Sequence, residues 1–167
     1  MTSGVHVVRA GVDSLDAALT SDDALASALG HRVAPGWATF REALQPVRDA
    51  LDTKPADFAW GPRFFVTAEP VELIGWGGFK GAPRDGIVEL GYEIAASHWG
   101  RGYATAVTRV MVAEAFDAAD VTSVIAHTLP EKNASNRVLE KVGFVFDRSV
   151  QDDDETVWRF TLAVSSR

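Results

Sequence analysis

Cysteine is absent from the 167 residues, which excludes disulfides, thiolate metal sites and cysteine nucleophiles and is compatible with a reducing compartment. Long apolar runs are missing too. No stretch reaches the length a membrane-spanning helix needs, and the opening MTSGVHVVRAGVD has neither a basic leader nor an apolar one. The expectation is a cytoplasmic protein with no membrane partner. Positive charge is in deficit, with 16 Lys and Arg against 23 Asp and Glu, a formal net charge of −7. An acidic total disfavours a nucleic-acid surface and suits a cationic or amine-bearing partner. His6, His31, His98 and His127 show no metal-ligand spacing, so no metal is expected. A Gly-x-Ser-x-Gly elbow is also lacking, which leaves a serine hydrolase unsupported.

What is present suffices for one folded domain spanning 1–167. Hydrophobic residues make up 47% of the chain, mean hydropathy is near zero, and no repeat, low-complexity segment or linker divides it. A short strand, VHVVRA, precedes helical segments in which Asp13 or Ser14, then Ser21 or Asp22, are natural caps, with Gly30 as a stop. WATFREALQPVRDAL is helical in composition, and Pro46 is expected to kink or divide it. From residue 62 the runs RFFVTA, ELIGWGGFKG and GIVELGYEIA read as an antiparallel meander punctuated by turn residues. A helix over about 102–118 follows, with Ala104, Val107, Met111, Ala115 and Ala118 as its apolar stripe. Then come the strand VTSVIAHT, a helix over about 134–142, and a closing hairpin turned at QDDD. Strand, helix and strand over 87–128 make a βαβ unit with one parallel pairing.

The junction SHWGRGYATA sets two glycines where a strand becomes a helix. A helix start within a glycine-containing loop offers unpaired amides and the positive end of a dipole, a seat for phosphate. The dinucleotide fingerprint fails because Thr105 stands where a third glycine is required, and the P-loop fails for want of Gly-Lys-Ser/Thr. On these glycines alone, an ordinary strand-to-helix turn competes equally with an anion site.

The balance changes with LPEKNASNRVLEKVGF thirty residues on. Together, VELGYEIAASHWGRGYATA and NASNRVLEKVGF resemble the Gcn5-related N-acetyltransferase (GNAT) superfamily, and within it the ribosomal-protein-alanine acetyltransferase-like (RimJ/RimL-type) branch. The resemblance covers about residues 62–163, since LIGWGGFKG and the final hairpin match as well. It implies an α/β fold with a mixed, mostly antiparallel sheet of six to seven strands, helices on both faces and splayed parallel strands at the cofactor site. It further implies transfer of the acetyl group of acetyl-CoA to a primary amine, either a protein N-terminus or a small molecule. The superfamily loop pattern Arg/Gln-x-x-Gly-x-Gly/Ala falls on Trp99, Gly100, Arg101, Gly102, Tyr103 and Ala104, with Thr105 next. Trp99 departs at the first position, so the implied pyrophosphate cradle is a backbone one. The resemblance also allows a homodimer through edge strands or the last hairpin.

Direct transfer to an amine needs a proton acceptor, a polarised thioester carbonyl and a proton for the leaving sulfur. Glu89 and Glu93 are the candidate acceptors, four apart on a strand and so on one face with Gly91. Family position favours Glu89, and a solvated strand carboxylate is the competing reading. The carbonyl contact is implied at a backbone amide of Ile94, Ala95 or Ala96. The tyrosine that many superfamily members use as the acid corresponds to Leu139, and Ser135 is the implied substitute, with a helix-start role as its competitor. Asn133 either caps that helix or reaches CoA, and Lys132 stands where the family often has asparagine. A CoA-binding sensor without catalysis, and an antibiotic or polyamine acetyltransferase, are the alternatives.

Overall fold

The computed structural model describes residues 4–165. Its strands are β1 (Val5–Arg9), β2 (Arg32–Val33), β3 (Pro62–Ala68), β4 (Val71–Phe79), β5 (Ile87–Ile94), β6 (Ser123–Thr128), β7 (Val145–Asp152) and β8 (Glu155–Ala163). They form one sheet in the order β1-β3-β4-β5-β6-β8-β7, with β2 beside the start of β4. The helices are α1 (Val12–Thr20), α2 (Asp22–Leu29), α3 (Leu44–Thr53), α4 (Tyr103–Asp117) and α5 (Ala134–Val142). The meander β3-β4-β5 and the hairpin β7-β8 are antiparallel, and β5 and β6 run parallel across α4. A second parallel pairing, the two residues of β2 on β4, goes beyond the one read from the sequence.

Each sheet face carries its own core. Phe65, Leu90, Val107, Met111, Leu139 and Phe160 are among the side chains buried between the sheet and the α4–α5 layer. Leu15, Leu25, Trp37, Leu44, Phe64 and Leu73 bury the other face under α1, α2 and α3. In α4 the stripe through Val107, Met111 and Ala115 is fully buried, and Val112 and Thr108 are buried beside it. That helix is therefore covered over more than the narrow stripe.

Helix boundaries follow local chemistry with two exceptions. Ser21 caps α2 by accepting from the Ala24 amide, and Gly30 ends that helix in the left-handed region. The expected caps Asp13 and Ser14 do not cap α1. That helix opens one residue before them, with Gly11 at its cap, and the Ser14 hydroxyl instead donates back to the Gly11 carbonyl. Pro46 does not kink a long helix, because α3 begins only at Leu44 and the proline lies in its first turn, where a missing N–H costs least.

Candidate active site

The parallel ladder between β5 and β6 has three rungs, Ile87 to Ser123, Val88 to Val124 and Glu89 to Ile125, and then stops. Beyond it β6 continues against β8 through Ala126, His127 and Thr128, while β5 continues against β4 as far as Ile94. The two strands part, leaving one edge of β5 open. The Lys80 amide donates to the Glu89 carbonyl and the Ala95 amide to the Ile74 carbonyl, which fixes odd-numbered backbone groups of β5 toward β4. By the alternation of a strand, the amides of Tyr92 and Ile94 face the gap. Of the three amides expected to polarise a carbonyl, Ala95 is thus already engaged and Ile94 is free to serve.

The glycine loop closes the end of this gap. Gly100 and Gly102 have φ of 72° and 81°, a left-handed conformation that glycine adopts without steric penalty. Gly102 is the N-cap of α4 and supplies no side-chain cap, so the amides of Tyr103, Ala104 and Thr105 are left for a ligand. A Cβ on Gly100 would meet nothing within 4 Å, so the loop presents bare backbone on that side. Trp99, 69% exposed, donates its indole N–H to the Ile94 carbonyl at 2.7 Å, tying the loop to the strand end. His98 is held behind the loop by Glu72 at 3.2 Å.

Glu89 and Glu93 share one face of β5, as the unbroken alternation requires, but their surroundings differ. Glu89 accepts from His127 Nδ1 at 2.8 Å and from Lys80 Nζ at 2.7 Å. Burial pushes its carboxyl upward, yet the bonds from His127 and Lys80 outweigh that and hold it below the ordinary glutamate value. Glu93 lies under the N-terminal layer, where the Thr39 amide donates to it. Its carboxyl is pushed up by burial, against hydrogen bonds from Thr39 and Phe40 and the nearby Trp76 indole. Glu93 lines a cavity of about 500 Å³ between α3 and the β4–β5 face. Val47, Ala50 and Leu51 of α3 lie on one side of it, and Trp60 and Trp76 also contribute.

On the opposite face, Tyr92 lies near Ser135. The Tyr92 hydroxyl is buried, and burial pushes it up to about 12, with the facing Ser135 hydroxyl opposing the rise. Asn133 caps α5, its Oδ1 accepting from the Asn136 amide at 3.1 Å. Leu139 is 1% exposed and belongs to the core. Ile94 and the adjoining loop from Trp99 to Thr105 thus lie at the open end of β5, with both glutamates on one face of the strand and Ser135 beside Tyr92 on the other. His127, at the end of a strand, reads from the sequence as a packed or hydrogen-bonded residue and is one, whereas Tyr92, Lys80 and the cavity escaped sequence reasoning. For Tyr92 the alternation along β5, opposite to Glu89 and Glu93, carries a signal, whereas the cavity depends on where α3 packs.

Comparison with known proteins gives these features a family. Residues 8–145 match the acetyltransferase (GNAT) domain model. A curated relative, the uncharacterized N-acetyltransferase YjdG of Bacillus subtilis (strain 168), is 25% identical over 149 residues, covering 87% of this chain and 89% of its own. Among solved structures, a chimera of the Vibrio cholerae spermidine N-acetyltransferase SpeG superposes with a TM-score of 0.70 at 16% identity, covering 96% of both chains. The aminoglycoside acetyltransferase AAC(6')-Ib, solved with coenzyme A, gives 0.67 at 19% identity over 95% of this chain and 94% of its own. A ribosomal-protein-S5-alanine acetyltransferase from Vibrio fischeri gives 0.66 at 14% identity over 96% and 93%. At such identities the solved structures speak for the fold, while the domain match spans most of the sequence. The chain belongs to the GNAT acetyltransferase family.

Proposed function

We propose that the protein transfers the acetyl group of acetyl-CoA to a primary amine by direct attack, with the pyrophosphate at the 100–105 loop and the pantetheine arm along the open edge of β5. The observation that carries this is the end of the parallel ladder at Glu89 and Ile125 beside an uncapped helix start. An extended arm fits an unpaired strand edge as an added strand would, and a diphosphate suits the bare amides of a helix N-terminus. Acetyl-CoA supplies the acetyl group as an activated thioester.

The chain's own groups then divide the work. The Ile94 amide is the donor available to the thioester oxygen. Glu93 is the carboxylate we assign to hold and deprotonate the acceptor ammonium, in place of Glu89. Its raised carboxyl is the better proton acceptor, and it lines the cavity. Glu89, bonded to both His127 and Lys80, serves to position them. Ser135 is the assigned proton donor for the departing sulfur, with Tyr92 behind it. The branch assignment, RimJ/RimL-like, is supported by the motif and by the ribosomal-protein-alanine acetyltransferase among the neighbours.

Thiol release from acetyl-CoA with a panel of amines, joined to mass spectrometry of the products, tests the reading. An amine-dependent thiol signal and a product heavier by one acetyl group are expected. CoA binding with no release above that of the Glu93→Gln and Ser135→Ala variants would instead mark a CoA-binding sensor.

A further inference from the structure

We infer that the acceptor is a small primary amine bearing one positive charge on an apolar, aromatic-sized body, seated in the cavity beneath α3 with its nitrogen at Glu93. This rests on the acetyltransferase reading above and adds the chemistry of the substrate. The cavity, about 500 Å³, falls within the range of about 300–1,000 Å³ typical of small-molecule sites. The face of α3 that it exposes is apolar, and Trp60 and Trp76 offer aromatic surface of the kind that attracts both ring systems and ammonium groups.

Charge decides between monoamines and polycations. The charged side chains lining the cavity are Lys54, Asp57, Lys80 and Glu93, two of each sign. Lys80 is an exposed cation spent on Glu89 at 2.7 Å, and Lys54 is exposed. Glu93 is the half-buried carboxylate on the strand that borders the gap, and Asp57, after α3, is the second carboxylate of the lining. A spermidine or an aminoglycoside would bring several ammonium groups to a wall that is apolar and already holds two lysines, and each unpaired ammonium would lose hydration without a partner. One ammonium at Glu93, with a ring or alkyl chain against α3 and the tryptophans, gives the ligand's single charge a partner and its apolar body an apolar wall, whereas three or more ammonium groups exceed the two carboxylates of the lining.

The floor offers a clean probe. Gly91 lines the cavity between Glu89 and Glu93, and a Cβ there would have only the Lys80 Cε within 4 Å, at 4.0 Å. Gly91→Leu therefore fills the cavity without displacing backbone. Ala50→Trp fills it from α3 and serves if the first variant folds poorly.

The test compares kcat/KM for phenethylamine, tryptamine and hexylamine with spermidine, kanamycin and an alanine-initiated peptide. It is paired with calorimetric binding of tryptamine and of spermidine in the presence of CoA. The expected result is at least a tenfold preference for the apolar monoamines. Gly91→Leu or Ala50→Trp should raise their KM tenfold or more while the KM for acetyl-CoA stays put. Preference for spermidine, kanamycin or the peptide, or indifference to both filling variants, overturns the inference and leaves the acetyltransferase reading intact. Tryptamine binding that Gly91→Leu abolishes, with no amine acetylated, overturns the acetyltransferase reading and leaves the cavity's specificity standing. Neither binding nor turnover of any amine of the panel overturns both.

Discussion

Glu93 and Glu89 are the same side chain on the same strand face, and their neighbours give them opposite proton affinities. Burial raises Glu93, so its folded-state affinity for a proton exceeds the unfolded one. Its contribution to stability is full below the ordinary value of 4.5 and is lost as pH rises through the folded value. Glu93→Gln is therefore expected to leave thermal stability at pH 7–8 equal or higher while lowering kcat by about 100-fold, the scale of a lost general base. The acid limb of kcat/KM, set above the ordinary glutamate range, should vanish with it. Melting curves and a pH–rate profile read both, and a large drop in melting temperature without the loss of the acid limb would make Glu93 structural. For Glu89 the sign reverses. Its carboxyl is depressed, so the His127 and Lys80 bonds stabilise the fold above about pH 4.5 and that gain disappears as pH falls through the folded value. Glu89→Gln should cost about 1 kcal/mol at pH 7, measured by urea unfolding, and the gap to the parent should close toward acid pH.

At the scale of elements, the loop from Trp99 to Thr105 works through backbone shape. Gly102 holds φ at 81°, and a β-branched residue there would be strained by about 1–2 kcal/mol. A new Cβ would also stand beside the amides of the first turn of α4. Gly102→Val should raise the KM for acetyl-CoA at least tenfold with a smaller change in kcat, and initial-rate kinetics separates the two. Parallel falls in kcat with KM unchanged would refute a cofactor-binding role. This loop was legible in the sequence because its chemistry is local, two glycines between a strand and a helix. So were α5, set by Asn133 and Gly143, and the hairpin turning at Asp153, where φ is 51°. The parting of β5 from β6 came through the family resemblance rather than through periodicity, and the full strand order was not legible at all. Pro46 misled because a proline is tolerated or disruptive according to where a helix begins. That start depends on the tertiary setting of Phe40 to Leu44. The weight given to Glu89 over Glu93 followed from the motif. What separates the two is non-local, with Thr39 lying 54 residues from Glu93 and His127 lying 38 from Glu89.

The whole molecule is a sheet in two parts, β1 to β5 and β6 to β8, joined through three parallel rungs and spanned by α4 and α5. A ligand that lies along the open edge of β5 and ends at the start of α4 bridges the parts where the sheet itself has no hydrogen bonds to offer. Binding to the native state alone stabilises by about 2.7 kcal/mol at a concentration 100 times Kd. For a chain of this length that corresponds to a rise of about 5–10 °C in melting temperature. Desulfo-CoA, which cannot react, is the suitable probe. Its addition should raise the melting temperature by that amount and slow amide exchange at Tyr92 and Ile94, the two amides that face the gap. The Gly102→Val variant should lose both effects at the same ligand concentration. Protection confined to α1 and α2, or a melting temperature that ligand leaves unchanged, would mean that the gap between β5 and β6 is not where the cofactor lies.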